Sequence, residues 1–285
     1  MPTRVVCSSV PRAAAVLITG CSTGIGAATA RRLAGSGRPV WATARQVETL
    51  TPLQALGCHV ARLDVTDEAS MRGCVEKIRD VSGPIGGLVN NAGYGEYGPV
   101  EEVSMPALRR QFETNVFGLV RMAQLVLPAM REQGHGRIIN VSSMGGRMTL
   151  PGGGAYHASK YAVEALSDAL RFEVRGFGVN VTLVEPGPVW TPFVEDATSS
   201  AEGDGPYAAF RVAVAHRNAA AYGGPQARGT SSADDVAQVI ERALTARRPR
   251  ARYLVGPVSR LMVGARTLLP DMWWDGLLRR QYPTP

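Results

Sequence analysis

The stretch Ala13-Ala14-Ala15-Val16-Leu17-Ile18-Thr19-Gly20-Cys21-Ser22-Thr23-Gly24-Ile25-Gly26 decides the fold. Its first half is a short apolar run, β-rich at its end, suited to a strand buried inside a parallel sheet. Glycines follow at once. Ala27 to Ser36 then carries small and apolar residues at helical spacing, with Gly35 and Gly37 to stop it. Strand, glycine loop, helix is the context in which such glycines carry meaning. Gly20 permits a tight turn, Gly24 lets backbone approach a pyrophosphate, and Gly26 lets the helix pack closely on the strand. The helix N-terminus would face phosphates with free N–H groups and its positive dipole end. The spacing is TGxxxGxG rather than GxGxxG, and glycines also make plain turns, so this motif alone leaves both readings open.

The same rhythm repeats outward from it. Strands are expected at Arg38–Ala44, Cys58–Leu63, Ile85–Asn90, Gly136–Ser142, Gly178–Val184 and Tyr253–Val255. Helices are expected at 46–56, at 66–81 with Thr66 as cap, from Ser104 as one long helix, at 155–176, and at 232–245 with Ser232 as cap. Alternation of this kind over residues 13–184 predicts an α/β fold: a doubly wound parallel sheet, Rossmann-like, in a single domain. Ligands of such sheets bind outside the carboxyl ends of the strands. Every motif from Gly20 to Thr191 falls at a strand end or the helix start after it.

One of those ends carries chemistry. Ser143 is followed thirteen residues on by Tyr156, and Lys160 comes four residues later. Tyr156 and Lys160 share a helix face. A lysine ammonium held near a tyrosine stabilises the phenolate and lowers its pKa from about 10. The pair makes a general acid that can give its proton to a ketone or take one from an alcohol, while the serine hydroxyl bonds the same oxygen. Lysine is scarce here: among 31 Lys plus Arg, only Lys77 and Lys160 are lysines, so an amine at this point is a specific choice. Two further positions have paired readings. Arg45 closes the second strand where an acid would select NAD, and an arginine suits a 2′-phosphate; it could also be a plain surface arginine. Asn115 interrupts an apolar stripe of Leu108, Phe112, Val116, Leu119, Val120, Ala123 and Leu127, either as a buried amide satisfied by backbone or as the holder of a relay water.

Composition excludes other classes. The 285 residues are 45% hydrophobic and 19% charged, with a net charge of +7. The arginines are scattered rather than clustered with aromatics, which argues against nucleic acid. The four cysteines form no CxxC pair, and Met1–Ala15 is too polar for a signal core, so free thiols in the cytoplasm and no metal site are expected. Residues 1–12 read as a disordered tail and 13–256 as the domain. Residues 192–230 read as a mobile helical lid whose aromatics (Trp190 beside it, Phe193, Tyr207, Phe210, Tyr222) either face a small apolar substrate or are ordinary loop packing. Residues 257–285 form an amphipathic extension with Met272, Trp273, Trp274, Leu277 and Leu278. It would fold back on the core or a sister subunit; contact with a membrane surface is the sharper alternative.

Taken together, Thr19–Gly26, Asp64-Val65, Asn90-Asn91-Ala92-Gly93, Asn115, Ser143, Tyr156–Lys160 and Pro186–Thr191 resemble the short-chain dehydrogenase/reductase family. The Thr-Gly-Cys-Ser loop, Ala-Thr-Ala-Arg45 and Glu185-Pro-Gly-Pro are similar to its 17β-hydroxysteroid dehydrogenase type 1 and retinol dehydrogenase branch. The resemblance implies an NADP(H)-dependent oxidoreductase acting on a secondary alcohol or ketone, possessing Tyr156 as acid/base, Lys160 as its partner and ribose clamp, Ser143 as substrate-oxygen donor and Asn115 as relay holder. It implies Ser22 and Arg45 at the 2′-phosphate, Asp64 at the adenine, Asn91 at the adenosine ribose, and Val189 with Thr191 at the nicotinamide amide. Gly20, Gly24, Ile25, Gly26, Val65, Ala92, Gly93 and Pro186 complete the implied cofactor contacts. A steroid or retinoid-like substrate and a homodimer or homotetramer built on the helices at 104–133 and 155–177 also follow from it. A non-catalytic NADPH sensor or an acyl-carrier ketoreductase are the alternatives on the same fold.

Overall fold

The computed structural model describes residues 11–191, 198–199, 205–222 and 229–283. Most of the expected tail, much of the expected lid, Phe193 and Cys7 lie outside the described residues. The chain runs β1 (Ala15–Ile18), α1 (Gly24–Gly35), β2 (Val40–Ala44), α2 (Thr51–Ala55), β3 (His59–Arg62), α3 (Glu68–Ser82), β4 (Ile85–Asn90) and β5 (Glu96–Tyr97). It continues through α4 (Met105–Phe112), α5 (Gly118–Gln133), β6 (Gly136–Val141), α6 (Gly154–Glu173), β7 (Val179–Pro186), β8 (Val189–Trp190) and β9 (Thr198–Ser199). Then come α7 (Ala208–Tyr222), β10 (Ser231–Ser232), α8 (Ala233–Thr245), β11 (Arg252–Val255), α9 (Pro257–Leu268) and α10 (Asp271–Arg279).

Seven strands form one parallel sheet in the order β11-β7-β6-β4-β1-β2-β3. The order reverses between β1 and β4, and a crevice opens there at the carboxyl ends. Side chains alternate across a strand, so β1 feeds two cores at once. Val16 and Ile18 pack with Leu33, Ile240 and Leu244 on the α1/α8 face. Ala15 and Leu17 pack with Ile78, Met122, Val126 and Ile138 on the other. Burying each of those large side chains contributes about 1.5–3 kcal/mol. β1, β4 and β6 lie in the middle of the sandwich and are fully buried, which suits their largely apolar residues and leaves Asn90, Arg137 and Asn140 as buried polar groups.

The structure corrects several sequence-based expectations. Thr66 does not cap α3. Its hydroxyl bonds Asp64, and Asp67 caps the helix by accepting from the N–H groups of Ala69 and Ser70. The long helix from Ser104 is broken by a π-helical turn over Glu113–Phe117. Leu108, Phe112, Val120 and Leu127 are therefore only half-buried, and Met122, Val126 and Met130 form the deep seam. The C-terminal segment is two helices, because Pro270 stops one and starts the next. Trp274 and Tyr282 fold inward while Met272 and Trp273 stay exposed. Tyr282 meets Phe210 of α7, and Arg217 of α7 bonds Gln281. The helix α7 is further held by Arg211 on Glu102 and Tyr207 on Glu101. Cys21, Cys58 and Cys74 are buried free thiols, and burial pushes Cys21 up to about 12. Among the described residues no helix is long and apolar enough to cross a membrane.

Candidate active site

The crevice is a cleft of about 710 Å³, within the range of ligand and cofactor sites. One end is built from the glycine loop. Gly20 has φ +72°, and a Cβ there would lie 2.8 Å from the Ala92 Cα. A Cβ on Gly26 would lie 2.2 Å from the Gly20 carbonyl oxygen, so only glycine closes this turn. Thr19 Oγ1 accepts from the N–H groups of Asn91 and Ala92, each at 3.0 Å. The Asn91 amide donates back to the carbonyls of Thr19 and Gly20. The loop after β1 and the Asn91-Ala92-Gly93 turn after β4 are thus one rigid unit.

The helix that follows starts without a side-chain cap at Thr23 and with no acid in its first turn. A terminus left this way favours an anion. Ser22 and Arg45 are exposed at this end and line the cleft with Gly24 and Ile25. Asp64 and Val65 line it from the end of β3. Burial would raise the Asp64 carboxyl, but the bonds from Thr66 and the charges of Arg45 and Arg62 outweigh it and lower it. Its carboxylate is therefore ionised and held by Thr66. The residues fit a phosphate-bearing dinucleotide: backbone approach is open at the glycines, and the exposed Arg45 adds a positive charge beside them. Gly26 does not line the cleft; it serves the turn behind it.

The other end holds the reactive side chains. Ser143 follows β6, and its Oγ accepts from the Gly145 N–H at 3.0 Å. Tyr156 projects from the first turn of α6 and its hydroxyl is hydrogen-bonded to Ser143. Lys160, one turn on, donates to the Val141 carbonyl at 2.9 Å with its Nζ 5.8 Å from the Tyr156 ring centroid. Burial lowers Lys160 to about 8, opposed by Glu164, so the amine is largely charged at neutral pH. Tyr156, by contrast, is raised by burial and by nearby Tyr222, with the Ser143 bond pulling the other way. The expectation that Lys160 lowers the tyrosine is not met in this arrangement. The ammonium sits over the ring face and gives a hydrogen to Val141, so desolvation of the hydroxyl prevails. His157 is lowered by burial to about 4 and stays neutral, its Nδ1 donating to the Gly145 carbonyl.

Asn115 stands one layer behind the cleft. It lies in the π turn, 1% exposed, and its amide bonds Tyr94 backbone in both directions and the Ser159 hydroxyl. Such turns recur at functional sites, and here one fixes the Gly93–Tyr94 bend. Pro186, Val189 and Thr191 close the cleft after β7. Several lining residues had no motif to announce them. Tyr94, Arg110, Glu113 and Thr114 enter from the loop after β4 and from α4 with its π turn. Behind them Tyr97 packs tilted against the Tyr156 ring at 5.7 Å between centroids and is hydrogen-bonded to Tyr222. Two tyrosines spaced three apart directly after Asn-Ala-Gly were the available signal.

Residues 14–202 match the short chain dehydrogenase family. The chain is 36% identical to an uncharacterized oxidoreductase of Escherichia coli over 93% of each. It is 34% identical to an NADPH-dependent 3-dehydrocapnine reductase of Ornithobacterium rhinotracheale, covering 91% of this chain and 94% of that one. Over 66% of this chain and 60% of the other, it is 40% identical to human 17-beta-hydroxysteroid dehydrogenase type 1. Its fold superposes on a short-chain dehydrogenase of Streptomyces avermitilis with a TM-score of 0.80 at 31% identity, over 93% and 95% of the two chains. It also superposes on a Burkholderia phymatum family member in complex with NAD, at 0.78 and 25% identity, over 95% and 96%. With a seven-stranded parallel sheet, a glycine-loop cleft and these likenesses, the chain belongs to the short-chain dehydrogenase family, oxidoreductases on a fold that binds nicotinamide cofactors.

Proposed function

We propose that this protein interconverts a secondary alcohol and a ketone, or an aldehyde, with NADP(H) and an apolar substrate. The observation that carries the reading is the Tyr156 hydroxyl bonded to Ser143, above a charged Lys160, at one end of a cleft whose other end is an uncapped helix terminus beside Arg45. A nicotinamide dinucleotide bound there supplies or takes up the hydride. The chain's own residues handle the proton. Ser143 holds the substrate oxygen, and Tyr156 gives its hydroxyl proton to that oxygen in reduction or removes one in oxidation. Its raised pKa keeps Tyr156 protonated across neutral pH, which suits reduction. Lys160 sets the charge beneath the ring, and Asn115 steadies the turn beside the amine and is the candidate relay position.

The remaining roles are those the family resemblance implies, and the shared cleft supports them. Ser22 and Arg45 would meet a 2′-phosphate, Asp64 and Val65 the adenine, Asn91 through its backbone a ribose, and Val189 with Thr191 the nicotinamide amide. The NADPH-dependent relative supports NADP, and the NAD-bound one shows that the fold itself accepts either. Tyr94 and Tyr222 line the substrate end, with Tyr97 packed behind against Tyr156, in favour of an apolar substrate. Exposed Phe117, Tyr161, Leu166 and Phe172 on the π turn and α6 suit an oligomer face. The test is NADPH consumption across steroidal ketones, retinal, aryl ketones and long-chain amino ketones. Tyr156→Phe should lower kcat by about 10²–10⁴ while NADPH affinity, read by fluorescence, stays unchanged. Undiminished turnover in that variant would refute the mechanism.

A further inference from the structure

Behind the cleft lies a set of buried charges that the proposed chemistry does not use. Glu164 follows Lys160 by one turn of α6, and Glu185 is the residue of β7 just before Pro186. They are 6% and 0% exposed. Arg252 of β11 spans them, its Nε 2.9 Å from Glu164 Oε2 and 3.0 Å from Glu185 Oε1. The other oxygen of each carboxyl, Glu164 Oε1 and Glu185 Oε2, is buried and has no donor among the described residues. The two side chains nevertheless meet as hydrogen-bond partners. Two carboxylates cannot donate to one another. A proton on one carboxyl lets it donate to the other and removes one of two buried negative charges.

We infer that Glu164 and Glu185 share a proton and act as a positioning pair for Lys160, tying the helix that carries it to the loops on either side of the cleft. The inference rests on the reading of Tyr156 and Lys160 as the acid–base couple. The surrounding charges are few. Lys160 and Asp168 lie beside the pair on α6, Arg147 reaches Glu185 at 3.4 Å from the loop after Ser143, and Arg252 comes from β11, where it also holds Asp168. Arg147 and Glu185 thus join the Ser143 loop to the Pro186 loop, and Glu164 carries the negative charge that keeps Lys160 ionised.

Burial and the neighbouring Glu164 raise Glu185 to about 7. The folded chain therefore keeps a proton that an unfolded carboxyl, near 4.3, has already lost. The stabilisation is complete at low pH and disappears as pH rises through the folded value. Thermal unfolding of the cofactor-free protein should show Tm falling between about pH 5 and 8. Glu185→Gln, which keeps a donor but cannot titrate, should flatten that fall. In turnover, the wild-type kcat profile should carry a limb near pH 7, and Glu185→Gln should lack it. Glu164→Gln should move the Lys160 ionisation down by about one pH unit, a tenfold change in its constant, with kcat affected more than KM. If Glu185→Gln does not fold, the Tm comparison is read on Glu164→Gln. A Tm-against-pH curve parallel to wild type in the variant overturns the inference, since the oxygens are then satisfied by something other than a proton. That measurement needs no activity, so it separates failure here from failure of Tyr156→Phe to lose turnover.

Discussion

The glycine-loop end of the cleft and the tyrosine end are made of different material. The first is backbone: Gly20, the Asn91-Ala92 turn and the uncapped start of α1, locked by bonds from Thr19 and Asn91 that leave little to adjust. The second is side chain. Tyr156 comes from α6, Ser143 from the end of β6, Tyr97 from β5 and Tyr222 from the last residue of α7. A backbone site suits a ligand with a fixed shape. A site assembled from side chains on four elements can change its substrate by changing one residue. Likeness across the family therefore speaks for cofactor class far more firmly than for substrate.

The sharpest way to break this contrast is at Gly26. A Cβ there would be 2.2 Å from the Gly20 carbonyl oxygen and 2.6 Å from Asn91 Nδ2. Neither is the end of a flexible chain, so backbone must shift. Gly26→Ala should cost about 1–3 kcal/mol or more of stability and weaken NADPH binding more than tenfold. A thermal melt and an NADPH fluorescence titration read both. Unaltered affinity would mean that the loop is not the rigid element described.

The next largest effect is expected at Arg45, the side chain that gives the backbone end its selectivity. It is exposed, so solvent screens it, and the effect on each cofactor should be modest. Arg45→Asp reverses a charge, however, and should change the NADPH-to-NADH affinity ratio by at least about tenfold, or about 1.4 kcal/mol. Equal losses for both cofactors would remove Arg45 from the 2′-phosphate and with it the preference for NADP.

The same contrast explains what could be read from the chain. β1 is a continuous apolar run, and β4 and β6 are mostly apolar and buried on both faces, with Asn90, Arg137 and Asn140 as their buried polar members; runs of that kind state their own position in a parallel sheet. Glycine spacing states the loop. Tyr156 and Lys160 lie on one helix, so their proximity is local and legible. Contacts made by topology are not. Glu164, Glu185 and Arg252 sit on α6, β7 and β11, and no spacing brings them together. The π turn at Glu113–Phe117 has no composition to mark it, and it is what places Asn115 behind the cleft rather than in it. Thr66 and Asp67 are both good caps, and the choice between them was made by Asp64, which takes the Thr66 hydroxyl.

The smallest expected effect tests the side-chain end by itself. Tyr222 bonds Tyr97, lines the cleft, and its presence helps raise the pKa of Tyr156. Tyr222→Phe keeps the ring and removes the hydroxyl. The lost bond should cost about 0.5–1.5 kcal/mol, seen as a severalfold rise in KM for the carbonyl substrate. The alkaline limb set by Tyr156 ionisation should also move down, since one of the groups that raises it is gone. NADPH affinity should not change, because the glycine-loop end is held by its own bonds from Thr19 and Asn91. A parallel loss of NADPH affinity would show that α7 couples the two ends, and the cleft would then be one site rather than a fixed cradle joined to an adjustable pocket.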